Sequence, residues 1–377
     1  MLALSNSKIY AGDTWLENHS VLMENGKIVK LCASIDVPLS CPVEDLDGHF
    51  LVPGFVDIQV NGGGGVLLNN TPDKSSIETV ATAHRKFGTT SLTPTFITDE
   101  ATKMRKMAAA VEKARAENSP GIKGIHFEGP FLNVERKGVH DANLIRPMDD
   151  SFLELVKNSN LGQVIVTLAP EKVTAGYIRS LVDAGVIVCA GHTNATYDQT
   201  QEAMDAGLTG FTHLHNAMPA MQSRAPGVIG AALASSDSFC GVIADGQHVH
   251  WATLSATLAA KGPDKIMLVT DAMSPVGTDE TGFMLGDQLI DVRDGRCITA
   301  DGVLAGSVLD MATAVRNVSK LAGQSLLSAV KMASTTPATF LGLNDKIGQI
   351  RPGFDADLVL LDKDIKAIKT WIADDVI

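Results

Sequence analysis

Between residues 55 and 269, short apolar runs alternate with longer segments in which apolar residues recur every three or four positions. The runs are Phe55 to Val60, Thr90 to Ile97, Lys123 to Phe127, Gln163 to Leu168, Val186 to Ala190, Gly210 to Leu214, Phe239 to Ala244 and Lys265 to Val269. Apolar runs of this length, bounded by turn residues, suit strands buried on both faces. The stretches between them, such as Ser75 to Phe87, Thr102 to Ala116 and Thr200 to Ala206, carry helix-forming residues at helical spacing. Repeated strand-then-helix units imply parallel strands. Eight such units, about thirty residues apart, predict an α/β fold closed as a (β/α)8 TIM-type barrel, since an open sheet would more often stop at about five or six strands.

The flanks follow a different rule. Ser7 to Tyr10, Ser20 to Glu24, the turn Glu24-Asn25-Gly26-Lys27 and Ile28 to Leu31 read as strands and a hairpin. Lys346 to Leu361 has the same character, with Pro352-Gly353 between two apolar runs. Together they predict a small β-sandwich built from both ends of the chain, residues 1–51 with 345–377, around a catalytic barrel over 52–344.

A barrel of this kind carries its chemistry at the carboxyl ends of its strands. Reactive side chains fall there repeatedly: Asp57, Gln59 and Asn61 on the first run, Glu128 on the third, His192 on the fifth, His213 and His215 on the sixth, Asp245 and His248 on the seventh, and Asp271 on the eighth. Two imidazoles and one carboxylate suit Zn²⁺ or a similar ion and leave a coordination position open, so Glu128, His192 and His213 form a candidate metal set; His215, two residues on, is an alternative to His213. Asp271 is placed to exchange a proton with a water beside the metal. His140, after a flexible-looking loop, is a candidate donor to a substrate carbonyl. Arg224 and His248 are candidate anion contacts. Gly62 to Gly65 has no following Gly-Lys-Ser/Thr and reads as a flexible connection, not a phosphate loop.

Composition narrows the partners. With 45% hydrophobic residues the 377-residue chain can bury a large core. A net charge of -12, from 31 Lys+Arg against 43 Asp+Glu, argues against nucleic acid but leaves room for a small anion bound by a local cationic cluster. Five scattered cysteines without C-x-x-C spacing read as reduced thiols, and neither a secretory leader nor a long apolar span is visible, so no membrane partner and a cytoplasmic location are expected.

The segments LVPGFVDIQVNGGGG, GIHFEGPFLN followed by KGVHD, AGHTNA, FTHLHNAM, DGQHVH, LVTDAM, LAGS and PGFDADLV span nearly the whole chain. On these the sequence resembles the amidohydrolase superfamily of metal-dependent hydrolases, and within it the N-acetylglucosamine-6-phosphate deacetylase family. The resemblance implies hydrolysis of the acetamide of N-acetyl-D-glucosamine 6-phosphate to D-glucosamine 6-phosphate and acetate, in amino-sugar catabolism. It implies one divalent ion per subunit, Zn²⁺ by default with Fe²⁺, Co²⁺ or Mn²⁺ as alternatives, held by Glu128, His192 and His213, with Asp271 as proton carrier. Substrate contacts are implied from Val139, His140, Asn216, Ala217, Arg224, Asp245, Gly246, Gln247, His248, Leu304, Ala305 and Gly306. Arg224 and His248 would be the phosphate pair, one of them reaching in from a neighbouring subunit of a homodimer or higher homo-oligomer. Where many superfamily members carry His-x-His, this chain has Gln59-x-Asn61, and amides are poor Zn²⁺ ligands, which argues against a second metal. A different N-acyl substrate and an inactive scaffold are the rival readings.

Overall fold

The computed structural model describes residues 1–372 and 375–376. All eight expected barrel strands form, as Phe55–Val60, Thr89–Ile97, Gly124–Glu128, Gln163–Leu168, Val186–Ala190, Gly210–Phe211, Phe239–Ile243 and Ile266–Val269, paired parallel in chain order. Helices pack outside them, and their starts follow capping chemistry. Asp73 accepts a hydrogen bond from the Ser76 amide at the head of Lys74–Arg85, and Thr196 and Gln199 form a capping box at the head of Tyr197–Asp205. The sixth strand is shorter than the apolar run suggested. His213 and His215 adopt φ of 31° and 82°, which no strand ladder accommodates, so the chain turns there and carries the His213 imidazole over the barrel mouth.

The barrel closes between its first and eighth strands with little ladder pairing. The backbone bridge is Val60 to Ala272, supported by the Asp271 amide donating to the Gln59 carbonyl. Side chains supply the rest. The buried Asp57 carboxyl accepts from the Thr270 hydroxyl at 2.5 Å, and from the Thr270 and Gln59 amides at 3.4 and 3.2 Å. Burial, opposed by these hydrogen bonds, pushes its pKa up to about 7.

The chain ends form two facing sheets. One contains Lys27–Ala33, His19–Glu24, Leu2–Ser5 and Val43–Asp45; the other contains Trp15–Leu16, Lys8–Tyr10, Phe50–Pro53, Leu358–Leu361, Ala367–Ile372 and Asp375–Val376. Leu4, Val21, Ile28, Leu51, Leu358 and Trp371 fill the space between them. Of the segment Lys346 to Leu361 only the second apolar run is a strand. Ile347 and Ile350, three apart and both buried, follow turns instead, and Gly353 and Phe354 bond back onto Ile28. Residues 373, 374 and 377 of the expected carboxy-terminal segment lie outside the described residues.

One element had no counterpart in the sequence reading. After the eighth strand, Gly282–Leu285, Gln288–Arg293, Arg296–Ile298 and Leu304–Ser307 form a four-stranded antiparallel sheet. Its buried apolar contribution is Phe283, Ile290, Cys297 and Ala305, one per strand, packed with Leu67 and Met273. With one fully buried apolar residue per strand and apolar Met284 and Leu289 exposed beside them, the segment shows no clean inward and outward alternation. Among the described residues no helix is long and apolar enough to cross a membrane.

The seam generates a prediction. Asp57→Leu leaves the buried Thr270 and Gln59 donors without their acceptor and is expected to cost about 2–3 kcal/mol in denaturant unfolding. Asp57→Asn keeps an acceptor and stays neutral. Because the folded-state pKa of Asp57 is raised, wild-type stability falls relative to the Asn variant as pH rises from the ordinary carboxylate range to about 7, and the difference is constant above that. A difference between the two that does not vary between pH 4 and 8 would show that the carboxyl is ionised throughout.

Candidate active site

Glu128, at the end of the third strand, meets two imidazoles carried by the fifth and sixth strand ends. Its Oε1 lies 2.9 Å from His192 Nε2 and 3.0 Å from His213 Nε2, and the two nitrogens are 3.0 Å apart, all in residues no more than 5% exposed. Burial opposes the Glu128 charge, but the two histidines outweigh it and hold its pKa well below the usual range. His192 Nδ1 lies 2.8 Å from the Arg136 carbonyl, an acceptor only, so Nδ1 carries the hydrogen. In the neutral ring the Nε2 lone pair then points at a carboxylate oxygen. Two electron-rich atoms at that range need a proton or a metal ion between them, and with His213 the donor set suits a divalent ion such as Zn²⁺. His140 is also near: its ligand atom and those of Glu128 and His192 lie within 4.8 Å of one another, but His140 Nε2 stands 4.0 Å from Glu128 Oε1, outside the tight triad. His215 points away, with Nε2 2.7 Å from the Thr257 hydroxyl.

Asp271 faces this cluster from the eighth strand end. Asn61 Nδ2 and Gln59 Nε2 both donate to its Oδ1, at 2.7 and 3.2 Å, which leaves Oδ2 free. Gln59 Nε2 also reaches Glu128 Oε2 at 3.1 Å. The amides standing in place of His-x-His therefore tie the two carboxylates together as donors. Burial, then the negative charge of Glu128, raises the Asp271 pKa to about 6, within reach of neutral pH for proton transfer in both directions.

His140 is buried, and its pKa is held well below the ordinary value by burial and then by the neighbouring His192, so the ring is neutral. The Thr98 hydroxyl lies 2.8 Å from His140 Nδ1 and 3.3 Å from the Glu128 carbonyl. The hydroxyl has one hydrogen: given to the Glu128 carbonyl it accepts from Nδ1–H, and turned to Nδ1 it goes with the tautomer that directs Nε2–H toward the cluster.

These groups line a cavity of about 480 Å³, together with Val139, Asn216, Ala217, His248, Leu304 and Gly306 among the residues singled out from sequence. The size suits a small ligand. His248 Nδ1 is 2.6 Å from Asp245 Oδ2, and Asp245 Oδ1 also accepts from the Gln247 and His248 amides, so Asp245 acts as the clamp that fixes His248. Gly246 allows the turn between them at φ 75°, and a Cβ there would fall 2.5 Å from Trp251. Asp245, Gly246, Gln247 and the buried Ala305 are not on the cavity wall. Arg224 is fully outside it, exposed on the loop before Gly227–Ala234.

Ile97, Glu135, Arg136, Gly138, Met273, Gly302 and Val303 also line the cavity and were missed from sequence, as was Thr98 beneath His140. Thr98 directly follows the second strand, so the strand-end rule could have found it. The loop and insert residues carried no such signal. Backbone strain marks the site as well: His192, His213, His215, Ala217 and Asp271 all have positive φ, whereas most other non-glycine residues with positive φ are Asn or Asp in turns.

Comparison with known proteins places the whole chain. The amidohydrolase family model matches residues 50–376, and the NagA composite domain matches residues 1–51. The N-acetylgalactosamine-6-phosphate deacetylase of Shewanella sp. (strain ANA-3) is 42% identical over 376 residues, covering 99% of this chain and 95% of that protein. The crystal structure of N-acetylglucosamine-6-phosphate deacetylase from Pasteurella multocida superposes with a TM-score of 0.96 at 35% identity, covering 100% of this chain and 99% of that one. A mutant of the Mycobacterium smegmatis N-acetyl-D-glucosamine-6-phosphate deacetylase, in complex with N-acetyl-D-glucosamine-6-phosphate, superposes with a TM-score of 0.91 at 31% identity, covering 100% and 98% of the two chains. By sequence over nearly its whole length and by its barrel, the chain belongs to the amidohydrolase family.

Proposed function

We propose that this protein removes the acetyl group from an N-acetylated hexosamine 6-phosphate, giving the amino sugar 6-phosphate and acetate. The observation that carries the reading is the placement of Asp271, with one carboxylate oxygen held by two amides and the other free, across from the Glu128, His192 and His213 donors. N-acetyl-D-glucosamine 6-phosphate is the substrate implied by the sequence motifs. The 42% identity to a relative named for the galacto epimer favours N-acetyl-D-galactosamine 6-phosphate as a second reading, and the two are to be compared directly.

Glu128, His192 and His213 would hold one divalent ion per subunit, Zn²⁺ by donor chemistry, with Fe²⁺, Co²⁺ and Mn²⁺ compatible with the same set. Such an ion supplies Lewis acidity, making a water more acidic and a carbonyl more electrophilic. Asp271 Oδ2 takes the proton of the attacking water and delivers it to the amide nitrogen as the C–N bond breaks. His140 Nε2–H donates to the carbonyl oxygen as it gains negative charge, its direction set by Thr98. Asn216, Ala217, Val139, Leu304 and Gly306 shape the sugar site, and His248, fixed through Asp245, turns Nε2 toward the phosphate. Arg224, exposed here, would join the phosphate site of a neighbouring subunit in a homodimer or larger assembly, and a cytoplasmic location accords with a small phosphorylated substrate.

Acetate release should be measured from both hexosamine 6-phosphates and from the unphosphorylated sugars. A hundredfold or greater preference for a phosphorylated sugar, about 3 kcal/mol at the transition state, is expected. Equal rates with and without phosphate would keep amide hydrolysis but remove the phosphate roles. Asp271→Asn should lower kcat by about a thousandfold or more while metal content, measured by elemental analysis, is unchanged; near-normal turnover would exclude Asp271 as proton carrier. Chelation should lower Tm, and Zn²⁺ should restore it in the wild type but much less in Glu128→Gln, which lacks the anionic ligand.

A further inference from the structure

Seven of the eight barrel strands contain, or are followed within five residues by, a residue that lines the active-site cavity; the fourth, Gln163–Leu168, gives none. It leads instead through Ala169 into a single 3-10 turn, Pro170–Lys172, that carries Glu171. Glu171 is off the cavity wall, and both of its carboxylate oxygens are engaged. Oε1 accepts from Asn133 Nδ2 at 2.8 Å and from the Asn194 amide at 2.7 Å, and Oε2 accepts from the Thr193 hydroxyl. One carboxylate therefore joins the loop after the third strand to the end of the fifth. Hydrogen bonds to an ionised acceptor are stronger than those between neutral groups, and Asn133 and Thr193 are buried, so water competes little for them.

The two sides of this bracket meet at His192. Thr193 and Asn194 directly follow it, so Glu171 fixes the backbone as the chain leaves the imidazole. On the other side, the Asn133 amide donates to the His192 carbonyl at 2.9 Å. The Asn133 side-chain oxygen caps the short turn Val134–Arg136, accepting from the Glu135 amide at 3.0 Å, and the last residue of that turn supplies the carbonyl 2.8 Å from His192 Nδ1. The Asn194 side chain ties down the same turn, accepting from Arg136 Nε at 2.6 Å and donating to Glu135 Oε2 at 2.7 Å. The strained backbone of His192, at φ 48°, and the acceptor that orients its ring are thus both held through one carboxylate.

We infer that Glu171 is a positioning residue: it sets the place and direction of the His192 imidazole beside Glu128 and His213, and thereby the affinity of that donor set for a divalent ion, without itself touching ion or substrate. The inference rests on the metal reading given above and not on the identity of the sugar. Glu171→Gln keeps an acceptor for Asn133 and Asn194 but removes the charge and the acceptor of the Thr193 hydroxyl; Glu171→Ala removes all three contacts.

The test is Zn²⁺ affinity, measured by competition with a chromophoric chelator well below Tm. Glu171→Gln should weaken binding about tenfold and Glu171→Ala up to about a hundredfold, and excess Zn²⁺ should restore most of the acetate release lost by Glu171→Gln. Leu4→Ala, in the core of the terminal sandwich, is the control: it should lower Tm and leave Zn²⁺ affinity as in the wild type. Unchanged affinity in Glu171→Gln and Glu171→Ala would overturn the inference, as would a loss in Leu4→Ala equal to that in Glu171→Gln, because affinity would then follow overall stability. If Glu171→Ala does not fold, Glu171→Gln against Leu4→Ala decides. A wild type that binds no Zn²⁺ overturns the metal reading and the inference together. One that binds Zn²⁺ but releases no acetate from either hexosamine 6-phosphate overturns the reaction alone, and zinc affinity still decides the role of Glu171.

Discussion

Three buried atoms drawn within 3.0 Å of one another, Glu128 Oε1 and the Nε2 atoms of His192 and His213, set the terms for the rest of the site. The cluster needs a proton or a metal ion among its electron-rich atoms, and the barrel holds those atoms together. Each side chain sits at or just past the end of a different strand, the third, fifth and sixth, and those strands belong to one continuous parallel sheet. The carbonyl of Arg136 then fixes the tautomer of His192, so that the electron pair faces inward. Positive φ at both histidines is the conformational cost of aiming them, and the surrounding ladder offsets it.

A second consequence follows at the seam of the barrel. The first and eighth strands share few ladder bonds, and Asp57 with Thr270 does much of the joining. Asp271 is the next residue after Thr270, and Gln59 lies two residues from Asp57 on the first strand. The distance between the proton carrier and Glu128 is therefore set by the same contacts that close the barrel, with the Gln59 amide bridging the two carboxylates. Loss of His-x-His at this place turns two potential metal ligands into hydrogen-bond donors, which hold one oxygen of Asp271 and free the other.

Recognition is organised around the chemistry in layers. Thr98 sets His140, Asp245 sets His248, and Asn194 sets Arg136. Each contact restrains a residue of the cavity wall through a polar side chain, from another strand-end loop for His140 and Arg136 and from three residues back in the same loop for His248. The insert sheet supplies Leu304 and Gly306 to the opposite wall, so that an element with little core of its own helps shape the site.

The sequence by itself determined the eight-strand order, the β-rich ends, and the placement of Glu128, His192, His213 and Asp271 at strand ends, because alternation of buried strands and amphipathic helices is a local, periodic property of the chain. Local pattern also suggested His140 and His248, which sit close to those ends. Residue pattern left His213 and His215 both open and family resemblance favoured His213; the structure puts the His213 ring against Glu128 and turns the His215 ring to Thr257. It likewise placed Arg136 on the cavity wall and Arg224 on the surface, and it revealed the insert sheet. Those outcomes depend on contacts between residues far apart in the chain, such as Arg136 with Asn194 and Asp57 with Thr270, and no periodicity encodes which distant partner a loop side chain will meet.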